Sequence, residues 1–223
     1  PVWHPDGYLL FSDPNTNTIY RYNPKNHNVT VYMSHSGYTG ADIGEYGQPG
    51  SNGLAIDKEG RLIIDQHGNR RVIRIEKKGP VTILADQIDG KRFNSPNDIV
   101  LKNDGTIYFT DPPYGLPGFF NDPKKELDYQ GVFMIKKGKV QVVSKDLGGP
   151  NGLAFSPDEK YLYVTNWDIR DIHHTKTLWR YEVQIDGSLK NGKVFYDFSF
   201  TEDEEALDGM KVDKEGNLYV SAP

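Results

Sequence analysis

One motif recurs along this chain and limits what it can fold into. An Asn or Asp followed by Gly or Asp opens a short apolar run. A tight polar turn follows, and then a second apolar run. The copies occupy 52–64, 97–109, 151–163 and 208–220, with a weaker copy at 2–11. The leading polar residues are Asn52, Asn97, Asn151 and Asp208, at intervals of 45, 54 and 57 residues. Self-similarity at such a period marks a repeat architecture.

Between copies lie further strand-like runs, such as 72–76 with 81–85 and 131–136 with 140–143. Four short antiparallel strands per repeat of this length describe a propeller blade. The Asp-Gly, Glu-Gly and Asp-Glu turns are the hairpin signals expected between neighbouring strands. Composition agrees: 23 Gly and 14 Pro supply many turns, 14 Tyr and 10 Phe favour strands, and no long helical period appears. The expectation is an all-β propeller with about five blades in a single domain over 1–223. Residue 1 enters mid-motif, and the chain stops just after the second strand of the last copy. A closed propeller must pair its first and last blades to remove exposed edges. This reading therefore expects the first and last blades to be partial and the natural chain to continue at both ends. A β-sandwich is the other fold considered, but it does not predict a repeated Asn/Asp-Gly signature.

The composition also removes several functions. Hydrophobic residues make up 36% and charged residues 26%, and no run approaches the ~18 apolar residues of a membrane helix. The net charge of −5 and the lack of a basic block argue against nucleic acid as a partner. The absence of cysteine rules out disulfides, thiol catalysis and thiolate zinc sites, and leaves cytoplasm and periplasm both open. No Gly-rich phosphate loop and no Gly-x-Ser-x-Gly elbow is present, against nucleotide binding and serine hydrolase chemistry.

The innermost strand of each blade lines the central channel, so equivalent positions in successive blades point at one axis. Asn52, Asn97, Asn151 and Asp208 hold such positions, and their side chains are expected to ring one end of the channel. Amide and carboxylate oxygens suit a hard cation, and calcium takes six to eight such ligands at about 2.3–2.6 Å. Zinc would use His or Cys. The bland alternative is that Asn and Asp before Gly simply form turns. One carboxylate is too little charge for the site, so a further acidic ligand is expected from a segment outside this sequence.

At these residues the chain resembles the SMP-30/gluconolactonase/luciferin-regenerating family, especially its bacterial gluconolactonase-like branch. The matching segments are Ser51-Asn-Gly-Leu-Ala-Ile-Asp57, His67-Gly-Asn-Arg-Arg-Val72, Asn94-Ser-Pro-Asn-Asp-Ile-Val100, Tyr108-Phe-Thr-Asp-Pro-Pro-Tyr-Gly115, Gly149-Pro-Asn-Gly-Leu-Ala-Phe155 and Leu207-Asp-Gly-Met210. The resemblance implies a six-bladed propeller with one divalent metal in its channel, calcium foremost, with Mg, Mn or Zn able to replace it. It implies Asn97, Asn151 and Asp208 as ligands. The family's Glu, from a Glu-Gly-Pro-Val-Trp motif, would fall two residues before Pro1.

The function implied is hydrolysis of a sugar lactone resembling gluconolactone. A metal would polarise the lactone carbonyl and stabilise the oxyanion formed as water attacks. The resemblance makes Asp208 the candidate catalytic base. A metal-bound carboxylate is a poor base, so Asp208 is alternatively a ligand that orients water. Asn52, Asn97, His67 and Tyr114 are candidate substrate-binding residues. His67 would hydrogen-bond a substrate hydroxyl or help move a proton, or else be a turn or surface histidine. Tyr114 would form pocket wall, or else only pack a Pro-rich loop. Arg70 and Arg71 are considered for acidic substrate groups, with at least one expected at the solvated surface. Asp13, Asp65 and Asp111 are expected to cap turns, and Trp3 and Trp179 to sit in blade cores. His173-His174 and the acidic run 202–205 are taken as polar loops. Two other functions remain open: a metal-dependent esterase or organophosphate hydrolase of the same propeller type, and a non-catalytic ligand-binding propeller. A condensing enzyme of the strictosidine synthase type shares the fold, but the Asn/Asp ring gives it no support.

Overall fold

The computed structural model describes residues 1–170, 175–199 and 206–221. His173-His174 and the acidic run 202–205 therefore lie outside the described residues. The described chain is all-β, with only two short 3-10 turns, Ile43–Glu45 and Phe119–Asn121. Among the described residues no helix is long and apolar enough to cross a membrane.

Four antiparallel four-stranded sheets follow one another along the sequence, each in simple meander order. The first holds β1 (Val2–His4), β2 (Tyr8–Asp13), β3 (Thr18–Asn23) and β4 (Asn28–Ser34). The second holds β5 (Ser51–Ile56), β6 (Leu62–Gln66), β7 (Arg71–Arg74) and β8 (Thr82–Ala85). A small hairpin, β9 (Gln87–Ile88) with β10 (Lys91–Arg92), precedes the third sheet. That sheet is β11 (Ile99–Leu101), β12 (Ile107–Thr110), β13 (Val132–Lys136) and β14 (Lys139–Ser144). The fourth is β15 (Pro150–Phe155), β16 (Tyr161–Trp167), β17 (Lys176–Val183) and β18 (Leu189–Asp197). A final pair, β19 (Met210–Val212) and β20 (Leu218–Val220), repeats the first hairpin of a sheet.

The first strands are neighbours in space: β1 lies by β5, β5 by β11, β11 by β15, and β15 by β19. This is a propeller-like arrangement, in which the sheets turn their first strands toward a common axis. The apolar residues pack between successive sheets. Leu10, Ile19, Leu54, Ile64 and Ile73 fill the first interface. Ile63, Val72, Phe93, Phe109 and Phe133 fill the second, where Phe93 meets Phe109 and Phe133 edge-on. Tyr108, Met134, Leu153, Val164 and Tyr181 fill the third. Each large buried side chain of this kind contributes about 1.5–3 kcal/mol from the area it removes from water.

Three expectations fail here. Trp3 is not core: it is 56% exposed, because Val2 is the β1 residue that packs inward and successive strand residues face opposite ways. Trp179 is half-buried against the third interface, as expected of a blade residue. Asp65 does not cap a turn. It lies inside β6, fully buried, with neither carboxyl oxygen hydrogen-bonded. Asp13 does act locally, its Oδ1 accepting from Thr16 N. Asp111 does not cap a turn: it is fully buried, and its Oδ2 accepts from Asn94 N in another loop at 2.7 Å.

Candidate functional site

The ring residues owe their direction to irregular strand starts. In β5 and β15 the register shifts between Ser51 and Leu54 and between Pro150 and Leu153. Such bulges re-aim a side chain out of the sheet's own alternation, and the residues inside them are Asn52-Gly53 and Asn151-Gly152. Asn97 and Asp208 sit just ahead of β11 and β19. The glycines have a steric reason. A Cβ on Gly53 would lie 2.8 Å from Asn97 O, and one on Gly152 would overlap Asp208 O and approach Gly209 Cα to 2.7 Å. The first strands thus come within backbone contact, fastened where Gly53 N donates to Asn97 O at 2.6 Å.

The third sheet departs from this pattern, carrying Asp98 where the others carry Gly. Its carboxylate ties two sheets together: Oδ1 accepts from Ile99 N at 2.9 Å and Oδ2 from Leu153 N at 3.1 Å. The motif reading missed this second carboxylate near the axis.

Asn52, Asn97, Tyr114, Asn151 and Asp208 line one cavity of about 600 Å³ at one end of the channel. Its other walls include Phe11, Asn15, Gln48, Phe119 and Trp167. Asn97 and Asn151 are almost wholly buried. Asn151 Nδ2 donates to Leu207 O at 3.1 Å, which fixes the amide, and its Oδ1 has no hydrogen-bond partner. Asp208 is open to solvent on the cavity side. Burial of its carboxyl against the wall, and then the negative charge of Asp98, raise its pKa, while the Gly209 N–H and the Asn151 amide pull it back. Among the described residues no group of three or more His, Asp or Glu side chains is placed to hold a metal. The candidate set consists of amides and one carboxylate.

His67 is not in the cavity wall. It is fully buried, and its Nε2 lies 3.5 Å from Asn52 Nδ2. Burial pushes its pKa down to about 3, so the imidazole is neutral. Tyr114 is wall, but its hydroxyl is already used, donating to Trp167 O at 2.6 Å. Arg70 does not face the cavity as a free cation. Its guanidinium donates to Phe93 O at 2.6 Å and Lys124 O at 2.8 Å, and so joins two loops. Arg71 donates to Gln66 Oε1.

Residues 1–223 match the family described as the SMP-30/Gluconolactonase/LRE-like region. The chain belongs to this family. It is similar to a gluconolactonase of Zymomonas mobilis subsp. mobilis, 36% identical over 234 residues, covering 100% of this chain and 64% of that protein. It is also similar to the pentonolactonase XacC of Haloferax volcanii, 25% identical over 225 residues, covering 98% of this chain and 64% of that one. A solved gluconolactonase from Xanthomonas campestris superposes with a TM-score of 0.80 at 29% identity, over 99% of this chain and 68% of that one. The chain thus spans somewhat under two thirds of the length of these two curated relatives.

Proposed function

We propose that this chain is the larger part of a six-bladed propeller that hydrolyses a sugar lactone, gluconolactone-like, at the cavity ringed by Asn97, Asn151 and Asp208. The single observation that carries the reading is Asn151 Oδ1. It is a buried amide oxygen without a donor, on a side chain fixed by Leu207 O, in the wall shared with Asn97 and Asp208. A buried polar atom without a partner needs an explanation, and a hard cation that prefers oxygen ligands supplies one. Asn97, Asn151 and Asp208 would hold this cation, calcium in preference to Mg, Mn or Zn. When bound, it supplies Lewis-acid polarisation of a carbonyl.

The chain's own residues do the rest. Asp208 faces the cavity and holds a water for attack on the lactone carbonyl. As the new C–O bond forms, the carboxylate takes the water's proton; the ring C–O bond then breaks, and the Asp208 carboxyl returns that proton to the released alkoxide, giving the hydroxy acid and restoring the carboxylate. Asn52 and Asn97 offer amide groups to substrate hydroxyls. Tyr114, Phe119 and Trp167 form an apolar wall for the sugar ring. The similarity to the Zymomonas gluconolactonase supports this substrate class over organophosphates.

The test is hydrolysis of gluconolactone, an aliphatic lactone and a phosphotriester, with and without chelator. Gluconolactone turnover abolished by chelator is expected. Equal or better phosphotriester turnover would replace the substrate class, and turnover indifferent to chelator would remove the metal. Asp208→Asn at saturating metal separates the base from a mere ligand, because activity retained with metal bound contradicts the base.

A further inference from the structure

The ring position of the second sheet differs from its counterpart in the fourth. Asn151 is tied through Nδ2 to a main-chain carbonyl. Asn52 Nδ2 instead meets the imidazole of His67, at 3.5 Å from Nε2. We propose that His67 is a positioning residue: its Nε2 accepts from Asn52 Nδ2 and turns the Asn52 amide oxygen to the cavity, as acceptor for a substrate hydroxyl. The class of substrate this implies is a neutral polyol lactone, and that part rests on the lactonase reading above.

Three observations hold the imidazole in place. It is fully buried behind Asn52 and does not itself line the cavity. Gly115 packs against its face so tightly that a Cβ there would lie 2.8 Å from His67 Cγ and 2.9 Å from Ser95 Cβ. Ser95 is in turn fixed, its Oγ donating to Pro112 O at 2.5 Å and accepting from Gly115 N at 2.9 Å. The plane of the ring is therefore fixed. The two ends of a carboxamide are nearly the same size, so its direction is decided by its partner. A neutral imidazole whose Nε2 accepts carries its proton on Nδ1, and Nδ1 has no partner here. An unpaired buried donor costs stability. A phenyl ring would fill the same space without that cost, so space filling alone gives no reason for a histidine.

The test uses the full chain. Long-range ¹⁵N–¹H correlation of His67 is expected to show the Nδ1–H tautomer, unchanged over about pH 5 to 9, the range in which a free histidine titrates. An Nε2–H tautomer would overturn the proposal, because it would turn the Asn52 NH2 to the cavity. Kinetics then use His67→Phe, Asn52→Ala and the double variant on gluconolactone. His67→Phe is expected to raise KM by about 10–100-fold, the range lost when the partner that orients a metal-ligating side chain is removed. Its kcat should change little and its Tm should hold or rise. The double variant should be no worse than Asn52→Ala. Losses that multiply in the double variant would mean that His67 acts on substrate directly, and would overturn the proposal. His67→Gln keeps an acceptor facing Asn52 and is expected to restore most of the KM; failure to do so also counts against it. If wild type turns over no lactone, the functional reading falls, and the tautomer measurement still decides the positioning claim.

Discussion

The Thr110 hydroxyl donates to the main-chain carbonyl of Asn151 at 2.6 Å, so the second strand of one sheet holds the ring residue of the next. Thr165, at the same place in the following sheet, donates to Asp208 O at 2.9 Å. Both threonines are buried. Replacing either with Val keeps the shape and leaves a buried carbonyl short of a donor. We expect each of Thr110→Val and Thr165→Val to lose about 1–3 kcal/mol in a denaturant melt. Cation affinity at the cavity should fall with it.

Asp65 occupies the corresponding position in β6, by the registers that pair Leu54 with Ile64, Ile99 with Phe109 and Leu153 with Val164. It has no donor for either oxygen. A threonine there would offer the hydroxyl its two counterparts offer and would remove a buried carboxyl. Asp65→Thr is expected to stabilise the chain by about 1–2 kcal/mol, within the span of measured burial costs for unpaired polar groups. A drop in Tm would show that the carboxyl has a partner that the packing does not reveal.

Gly152 permits the close passage of β15 beside β19. Gly152→Ala would place a methyl on Asp208 O and Gly209 Cα, backbone atoms that can yield only by moving the strand. Overpacking of this kind costs about 1–3 kcal/mol. Lactonase activity should fall further than stability, because the atoms displaced belong to Asp208. Urea melts beside initial rates check both.

Asp111 supplies a pH dependence. Burial raises its pKa from 3.8 to about 7, against the pull of the Asn94 and Ser95 N–H groups and of Arg70. A carboxyl whose folded pKa is raised contributes stability below its unfolded value and loses it as pH climbs through the folded one. The loss therefore runs from about pH 4 to 7. Asp111→Asn keeps an acceptor for Asn94 N and carries no charge. It should match wild type near pH 4 and exceed it in Tm at about pH 8. A Tm difference independent of pH would contradict this account.

The repeat was legible because strand alternation and the Asn-Gly signal are local, and equivalent positions of a repeat point alike. That reasoning reached Asn52, Asn97, Asn151 and Asp208, which line one cavity. It also had the means to find Thr110 and Thr165, which stand at matching places after the second apolar run. His67 was harder: its neighbours Gln66 and Gly68 read as a turn, and its burial comes from Gly115 in a distant loop. Arg70 was misread because nothing local shows that three carbonyls converge on its guanidinium. Gln48 and Phe119 reach the cavity from segments without a period, where pattern carries no information, and Trp167 reaches it from the end of β16, beyond the recurring motif.

The central claim is that Asn97, Asn151 and Asp208 hold one cation between them. Calcium titration by calorimetry, on wild type, Asn151→Ala and Asp208→Asn, tests it most directly. One calcium per chain is expected, with affinity lowered more than about tenfold in each variant, a loss of at least ~1.4 kcal/mol. Calcium binding of undiminished strength in both variants would contradict it.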